Sequence, residues 1–163
     1  MEAMLHHQQS TACLHTTCVV ISNKPGVLGL ERAKTLNTPT AVIELPDGLE
    51  GNARRLAHEL SIEAVLNDYS VELVILSGYM RLLSPEFVER WESQVVNIHP
   101  SLLPAFPGAH AHRDVIAAGA TKSGCSVHYV DAGMDTGKVI AQYEVDVLPV
   151  SYTHLRAHET VVH

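Results

Sequence analysis

Cysteine is scarce in this sequence. The 163 residues contain three, Cys13, Cys18 and Cys125, an odd number with no paired spacing. That argues against a disulfide framework and for a reducing, cytoplasmic setting. Long apolar runs are missing as well. Stretches such as Leu73 to Leu76 fall far short of the roughly 20 residues that cross a bilayer. The first residues also lack the basic segment and apolar core of a secretion signal, so no membrane partner is expected. Positive charge is in deficit: 11 Lys and Arg stand against 18 Asp and Glu, a net charge of -7. Duplex binding depends on basic side chains that neutralise phosphates, so nucleic acid is not an expected partner. What remains is 46% apolar and 18% charged, the composition of one globular domain, which excludes disordered and collagen-like chains. Histidine alone is abundant, with eleven copies.

Those histidines are unevenly placed. His6, His7 and His15 lie near the start, His154, His158 and His163 lie near the end, and five are internal. The segment from Val150 to His163 has no apolar periodicity and resembles the read-through translation of a transposase sequencing adapter. It is set apart from the fold as a non-native tail, which leaves residues 1–149 as the single domain. Without the tail there are 10 basic and 17 acidic residues, and the net charge stays at -7.

Along residues 1–149, strand-like and helix-like segments alternate, the pattern of an α/β domain with a doubly wound, mostly parallel sheet. Strands are expected at Thr17 to Ser22, Ala41 to Leu45, Leu73 to Leu76 and Val95 to Ile98. Helices are expected at Val27 to Asn37 and at Asn52 to Asn67. The second has Asn52 as its N-cap and Leu56, Leu60 and Ala64 on its apolar face. Ser84-Pro85 opens a short helix, and another runs from Ala111 to Ala118 with Gly119 as its stop. Pro100, Pro104 and Pro107 mark a rigid, irregular loop. Cys125 to Val130 and Val139 to Val147 form a C-terminal β-hairpin around the wide turn Asp131 to Gly137. Asn97, His99 and Asp135 then fall at strand ends or just past them, where open α/β sheets bind ligands.

Three blocks are specific in content and spacing: Gly78-Tyr-Met-Arg-Leu-Leu-Ser-Pro85, Asn97-Ile-His-Pro-Ser-Leu-Leu-Pro104 continuing to His112, and Ser126-Val-His-Tyr-Val-Asp-Ala-Gly-Met-Asp-Thr-Gly137. Together they resemble the phosphoribosylglycinamide formyltransferases, the folate-dependent glycinamide ribonucleotide transformylases of purine synthesis. The similarity runs from about Cys18 to Pro149. The reaction it implies is transfer of a formyl group from 10-formyltetrahydrofolate, as co-substrate, to the amine of glycinamide ribonucleotide. Attack on the formyl carbon puts negative charge on the former carbonyl oxygen, and that oxyanion needs donors. Asn97 and His99 are two apart on an extended segment, so their side chains share a face and can supply them.

The resemblance implies that Asp135 supports proton transfer through a water and keeps His99 charged, since a nearby carboxylate favours the imidazolium. It places the folate against Met80, Arg81, Leu82 and Leu83, against Asn97, and against Asp131, Ala132, Gly133, Met134 and Asp135. It makes Arg55, or Arg54 beside it, the folate-contacting arginine. His110 and His128 stand as supporting residues. No metal is expected, because the spacing of His99, His110, His112 and His128 does not enforce the convergence that zinc requires. A monomer or homodimer is expected.

The resemblance further implies a Rossmann-like formyltransferase fold whose first strand, Gly-x-Gly-Ser-Asn phosphate loop and last helix are missing from this sequence. Losing a central strand would unpair its two neighbours and uncover four or five large apolar side chains, worth roughly 6 to 15 kcal/mol. That equals a whole domain's net stability, so an unstable and nearly inactive chain is expected. The alternatives are a formyltetrahydrofolate hydrolase, a methionyl-tRNA formyltransferase, a remnant that retains only folate or nucleotide binding, and a histidine-rich zinc protein. The hydrolases carry a second histidine where Pro100 stands, and the tRNA enzymes use a more basic loop.

Overall fold

The computed structural model describes residues 1–10 and 12–148; the tail expected from Val150 to His163 lies outside them. The chain divides into two compact units, Met1–Glu72 and a second beginning at Leu73.

The first unit contains α1 (Glu2–Ser10), β1 (Val20–Ser22), α2 (Leu28–Thr35), β2 (Thr40–Val42) and α3 (Gly51–Asp68). β1 and β2 pair in parallel, Val20 opposite Thr40. Leu5 of α1 and Leu30 and Ala33 of α2 are buried. An Arg32–Glu2 ion pair at 2.8 Å and a Gln9 Nε2 bond to the Leu36 carbonyl at 2.6 Å tie the same two helices. α3 departs from expectation. Its N-cap is Glu50, with no side-chain cap bond, because Asn52 is already one residue inside, where its Oδ1 accepts from Arg55 Nη2 at 2.5 Å. Its buried face is His58, Glu59, Glu63 and Leu66, whereas Leu60 is 60% exposed. Glu59, Glu63 and Leu66 keep the spacing of four and three that a helix face demands, with His58 beside them. The stripe of polar residues, not the stripe of leucines, turns inward, and His58 Nε2 meets the Ile43 carbonyl at 2.7 Å.

The second unit contains β3 (Val74–Leu76), α4 (Pro85–Arg90), β4 (Val95–His99), α5 (Ala111–Ala117), β5 (Lys122–Tyr129) and β6 (Val139–Asp146). Its sheet order is β3-β4-β5-β6, parallel between β3 and β4 and antiparallel thereafter. Ser84 caps α4 by accepting from Phe87 N at 3.1 Å, with Pro85 following. Phe87, which stacks on Trp91, and Val95, Val96, Leu103, Ala111 and Val115 are among its buried apolar side chains. Gly119 stands after α5 at φ +62°, the left-handed geometry that ends a helix.

The mixed α/β class and the C-terminal hairpin agree with the sequence. Pairings among β1 to β4 are parallel, and the antiparallel ones enter with β5 and β6. The strands form two sheets, β1-β2 and β3-β4-β5-β6, as expected for a doubly wound sheet whose central first strand is not in the sequence.

Candidate active site

The cluster is built by register. In the β4–β5 ladder Asn97 lies opposite His128 and His99 opposite Ser126. Directly opposed residues present their side chains on the same face, so one face carries an amide, two imidazoles and a hydroxyl. The β5–β6 ladder is irregular between Val127 and His128, a distortion of the kind that re-aims side chains beside active sites. The turn after β5 folds back to the same face and delivers Asp135. Two glycines allow that path. A Cβ at Gly137 would strike the Tyr129 carbonyl oxygen, and one at Gly133 would strike the Thr136 hydroxyl. Asp131 stiffens the turn by accepting from Gly133 N at 3.0 Å and Thr136 Oγ1 at 2.7 Å.

Asp135 joins the two imidazoles. Its Oδ2 lies 3.4 Å from His99 Nδ1 and accepts from Gly108 N at 2.7 Å, while its Oδ1 lies 3.5 Å from His128 Nε2. All three side chains are nearly closed to solvent, His99 at 5%, His128 at 3% and Asp135 at 12% exposure. Water therefore screens the carboxylate poorly. The other ring nitrogens are anchored to carbonyls: His99 Nε2 to Phe106 at 2.9 Å and His128 Nδ1 to Tyr129 at 2.8 Å. A carbonyl only accepts, so each of those nitrogens carries a proton. His128 Nε2 has two competing neighbours, Asp135 Oδ1 and Asn97 Nδ2, the latter at 3.2 Å. A neutral ring accepts from the amide, and a charged ring donates to the carboxylate.

The structure brings Asn97, His99, Asp135 and His128 together. Asn97 occupies the middle of β4 rather than its end, and His99 is the last residue of the strand. His128, expected only in support, is hydrogen-bonded into the cluster. His110 is not: it is exposed and stands at the N-cap of α5 without a side-chain cap bond. Met80 to Leu83 form the loop between β3 and α4, where Met80 and Leu82 are exposed. Asp131, Ala132, Gly133 and Met134 lie in the exposed part of the turn, with the Met134 sulfur 3.6 Å from where a Cβ of Gly108 would sit. Arg55 belongs to α3 of the first unit. Its Nε is buried without a hydrogen-bond partner, whereas Arg54 is engaged by the Pro46 carbonyl at 2.9 Å and lies 3.8 Å from Asp47. Missing from the sequence reading were the Phe106 carbonyl and Gly108 N–H, which no side-chain pattern encodes. His128 did have a signal: Asn97-Ile-His99 and Ser126-Val-His128 alternate alike, as two paired strands sharing a polar face do.

No three His, Cys, Asp or Glu side chains among the described residues are grouped to hold a metal ion. No helix among them is long and apolar enough to cross a membrane.

A mixed α/β frame that gathers amide and imidazole donors around a buried carboxylate is suited to transfer of an acyl-type group through an oxyanion. The chain belongs to the formyl transferase family, whose model matches residues 1–162. Within it, the phosphoribosylglycinamide formyltransferase of Escherichia coli K12 is 38% identical over 149 residues, 90% of this chain and 68% of that protein. A Drosophila pseudoobscura relative, the trifunctional purine biosynthetic protein adenosine-3, is 47% identical over 131 residues. That match takes in 80% of this chain and only 9% of the relative's length. The crystal structure of phosphoribosylglycinamide formyltransferase from Bacillus halodurans superposes with a TM-score of 0.83 at 35% identity, covering 99% of this chain and 84% of that one.

Proposed function

We propose that the chain transfers the formyl group of 10-formyltetrahydrofolate to the amine of glycinamide ribonucleotide. The observation that carries this reading is the cluster of Asn97, His99 and Asp135 with His128 at hydrogen-bonding and ion-pair distances. The amine lone pair attacks the formyl carbon, and the carbonyl π pair moves to oxygen. Asn97 Nδ2 and the imidazolium of His99 stabilise that oxyanion. Of the two His99 nitrogens, Nε2 is held at 2.9 Å by Phe106 and Nδ1 lies at a looser 3.4 Å from Asp135. Nδ1–H is therefore the donor that turns to the reacting oxygen, with the carboxylate of Asp135 beside it. Collapse of the intermediate breaks the bond to the folate nitrogen. The proton lost by the attacking amine reaches that nitrogen by way of Asp135 and a water. No covalent bond to the protein forms.

The folate itself is assigned to the exposed loops Met80 to Leu83 and Asp131 to Asp135. Of the two arginines that the resemblance offers for folate, Arg55 is preferred to Arg54 because it has a buried donor without a partner. A monomeric or dimeric enzyme of the cytoplasm fits the composition. The test is to incubate the full chain with 10-formyltetrahydrofolate and, in parallel, glycinamide ribonucleotide, water alone or methionyl-tRNA. Formylated ribonucleotide as the dominant product supports the proposal. Formate without it would identify a hydrolase, formylated tRNA a tRNA enzyme, and folate binding without turnover a remnant.

A further inference from the structure

Every residue of β6 is exposed, yet one of its side chains reaches inward. Gln142 Nε2 donates to the Leu103 carbonyl at 2.8 Å and to Ser126 Oγ at 2.9 Å. Ser126 is opposite Gln142 in one ladder and opposite His99 in the other. It is completely buried, and its hydroxyl is saturated. It accepts from Gln142 and from Leu103 N at 3.0 Å, and donates to the Ser101 carbonyl at 2.6 Å, which is all a hydroxyl can do. The loop after β4 is thereby held at Ser101 O and at both backbone groups of Leu103. Ser101, also completely buried, passes the constraint onward. Its Oγ donates to the Ala105 carbonyl at 2.6 Å and lies 3.1 Å from the Phe106 carbonyl. That last carbonyl is the partner of His99 Nε2. An unbroken path runs from β6 to the ring.

While the Phe106 carbonyl stays within bonding distance, a proton stays on Nε2. Nδ1 is then the nitrogen left opposite Asp135. Hydrogen bonds weaken steeply with distance and angle, so a loop free to drift would release Nε2 and let the neutral ring place its proton on Nδ1 instead. We infer that Gln142 is a positioning residue for His99, acting through Ser126 and the Ser101–Phe106 loop to fix which imidazole nitrogen faces Asp135 and the reacting oxygen. This rests on His99 being the working imidazole and gives a task to a side chain remote from the reacting atoms.

The test uses the full chain with 15N-labelled histidine, its ring signals followed from about pH 6 to about pH 9. The unaltered chain is expected to show neutral His99 protonated on Nε2 alone. Gln142→Met keeps the length and bulk but has no donor. It should move roughly a tenth or more of the His99 signal to the Nδ1–H form and lower kcat at least about fivefold, with KM within about twofold. Ser101→Ala breaks the same path nearer the ring and should do the same; it decides the matter alone if Gln142→Met does not fold. Lys122→Met removes ion pairs to Glu144 and Asp146 at the other end of the hairpin, and should lower the thermal midpoint while leaving the ring spectrum unchanged. Folded variants that keep the Nε2–H form alone overturn the inference, as does equal mixing in Lys122→Met. Mixing in a chain that transfers no formyl group would uphold the positioning while removing the proposed reaction.

Discussion

Replacing Asp135 by asparagine removes one charge and little else. Asparagine tolerates the left-handed backbone of this position, φ +55°. Its oxygen can still accept from Gly108 N, and its amide can face His128 Nε2. What disappears is a full negative charge 3.4 Å from His99 Nδ1, between side chains only 5% and 12% exposed. Coulomb attraction at that separation is about 5 kcal/mol with an effective dielectric constant near 20, an upper bound. The smaller measure is the difference between a charge-assisted and a neutral hydrogen bond, roughly 1 to 1.5 kcal/mol. At about 1.4 kcal/mol per factor of ten, kcat for formyl transfer should fall between about tenfold and a few thousandfold. KM and the unfolding midpoint should hardly change. Asp135→Ala should lose as much rate and also stability, because Gly108 N loses its acceptor. The assay is single-turnover formation of formylated ribonucleotide, with thermal unfolding measured on the same samples. A rate for Asp135→Asn within threefold of the original chain would refute the assignment of Asp135 to the chemistry.

Three further outcomes are expected. Gly137→Ala should destabilise the chain by about 2 to 4 kcal/mol in urea unfolding, because the added carbon meets the Tyr129 carbonyl; a change below about 0.5 kcal/mol would contradict the tight turn. On α3, Leu66→Ala should cost roughly 2 to 5 kcal/mol and Leu60→Ser within about 0.5 kcal/mol, and the reverse order would restore the leucine stripe as the inner face. Hydrogen bonds to Asp146 and Glu144 raise the Lys122 ammonium above its usual range. Its contribution is therefore complete below about pH 10.5 and lost as pH rises through the raised value. A pH titration of unfolding should show that alkaline loss in the original chain and not in Lys122→Met.

The alternation of elements was legible because each has its own periodicity: all six strands and the helices α2 to α5 lie where apolar runs, prolines and glycines put them, within a few residues. α3 shows what periodicity alone misses. Leu56, Leu60 and Ala64 make a plausible apolar face by spacing, but the helix buries His58, Glu59 and Glu63 instead, a choice set by partners distant in sequence. In the cluster, Asn97, His99 and Asp135 were legible from their blocks. The ring anchors were not, because the Phe106 and Tyr129 carbonyls are backbone atoms whose identity carries no code. Ser126 and Gln142 lay inside strands that read as ordinary ladder.

The left-handed backbone at Asp135 has an evolutionary consequence. Few side chains sit there without cost: glycine, asparagine and aspartate do, whereas others add roughly 1 to 3 kcal/mol of strain. Glutamate or serine would therefore strain the turn as well as change the group beside His99. Asparagine and glycine keep the turn, and each is a single nucleotide change from an aspartate codon. Asparagine also keeps an acceptor for Gly108 N, as glycine does not, so a copy altered to asparagine here would remain well folded without the charge beside His99.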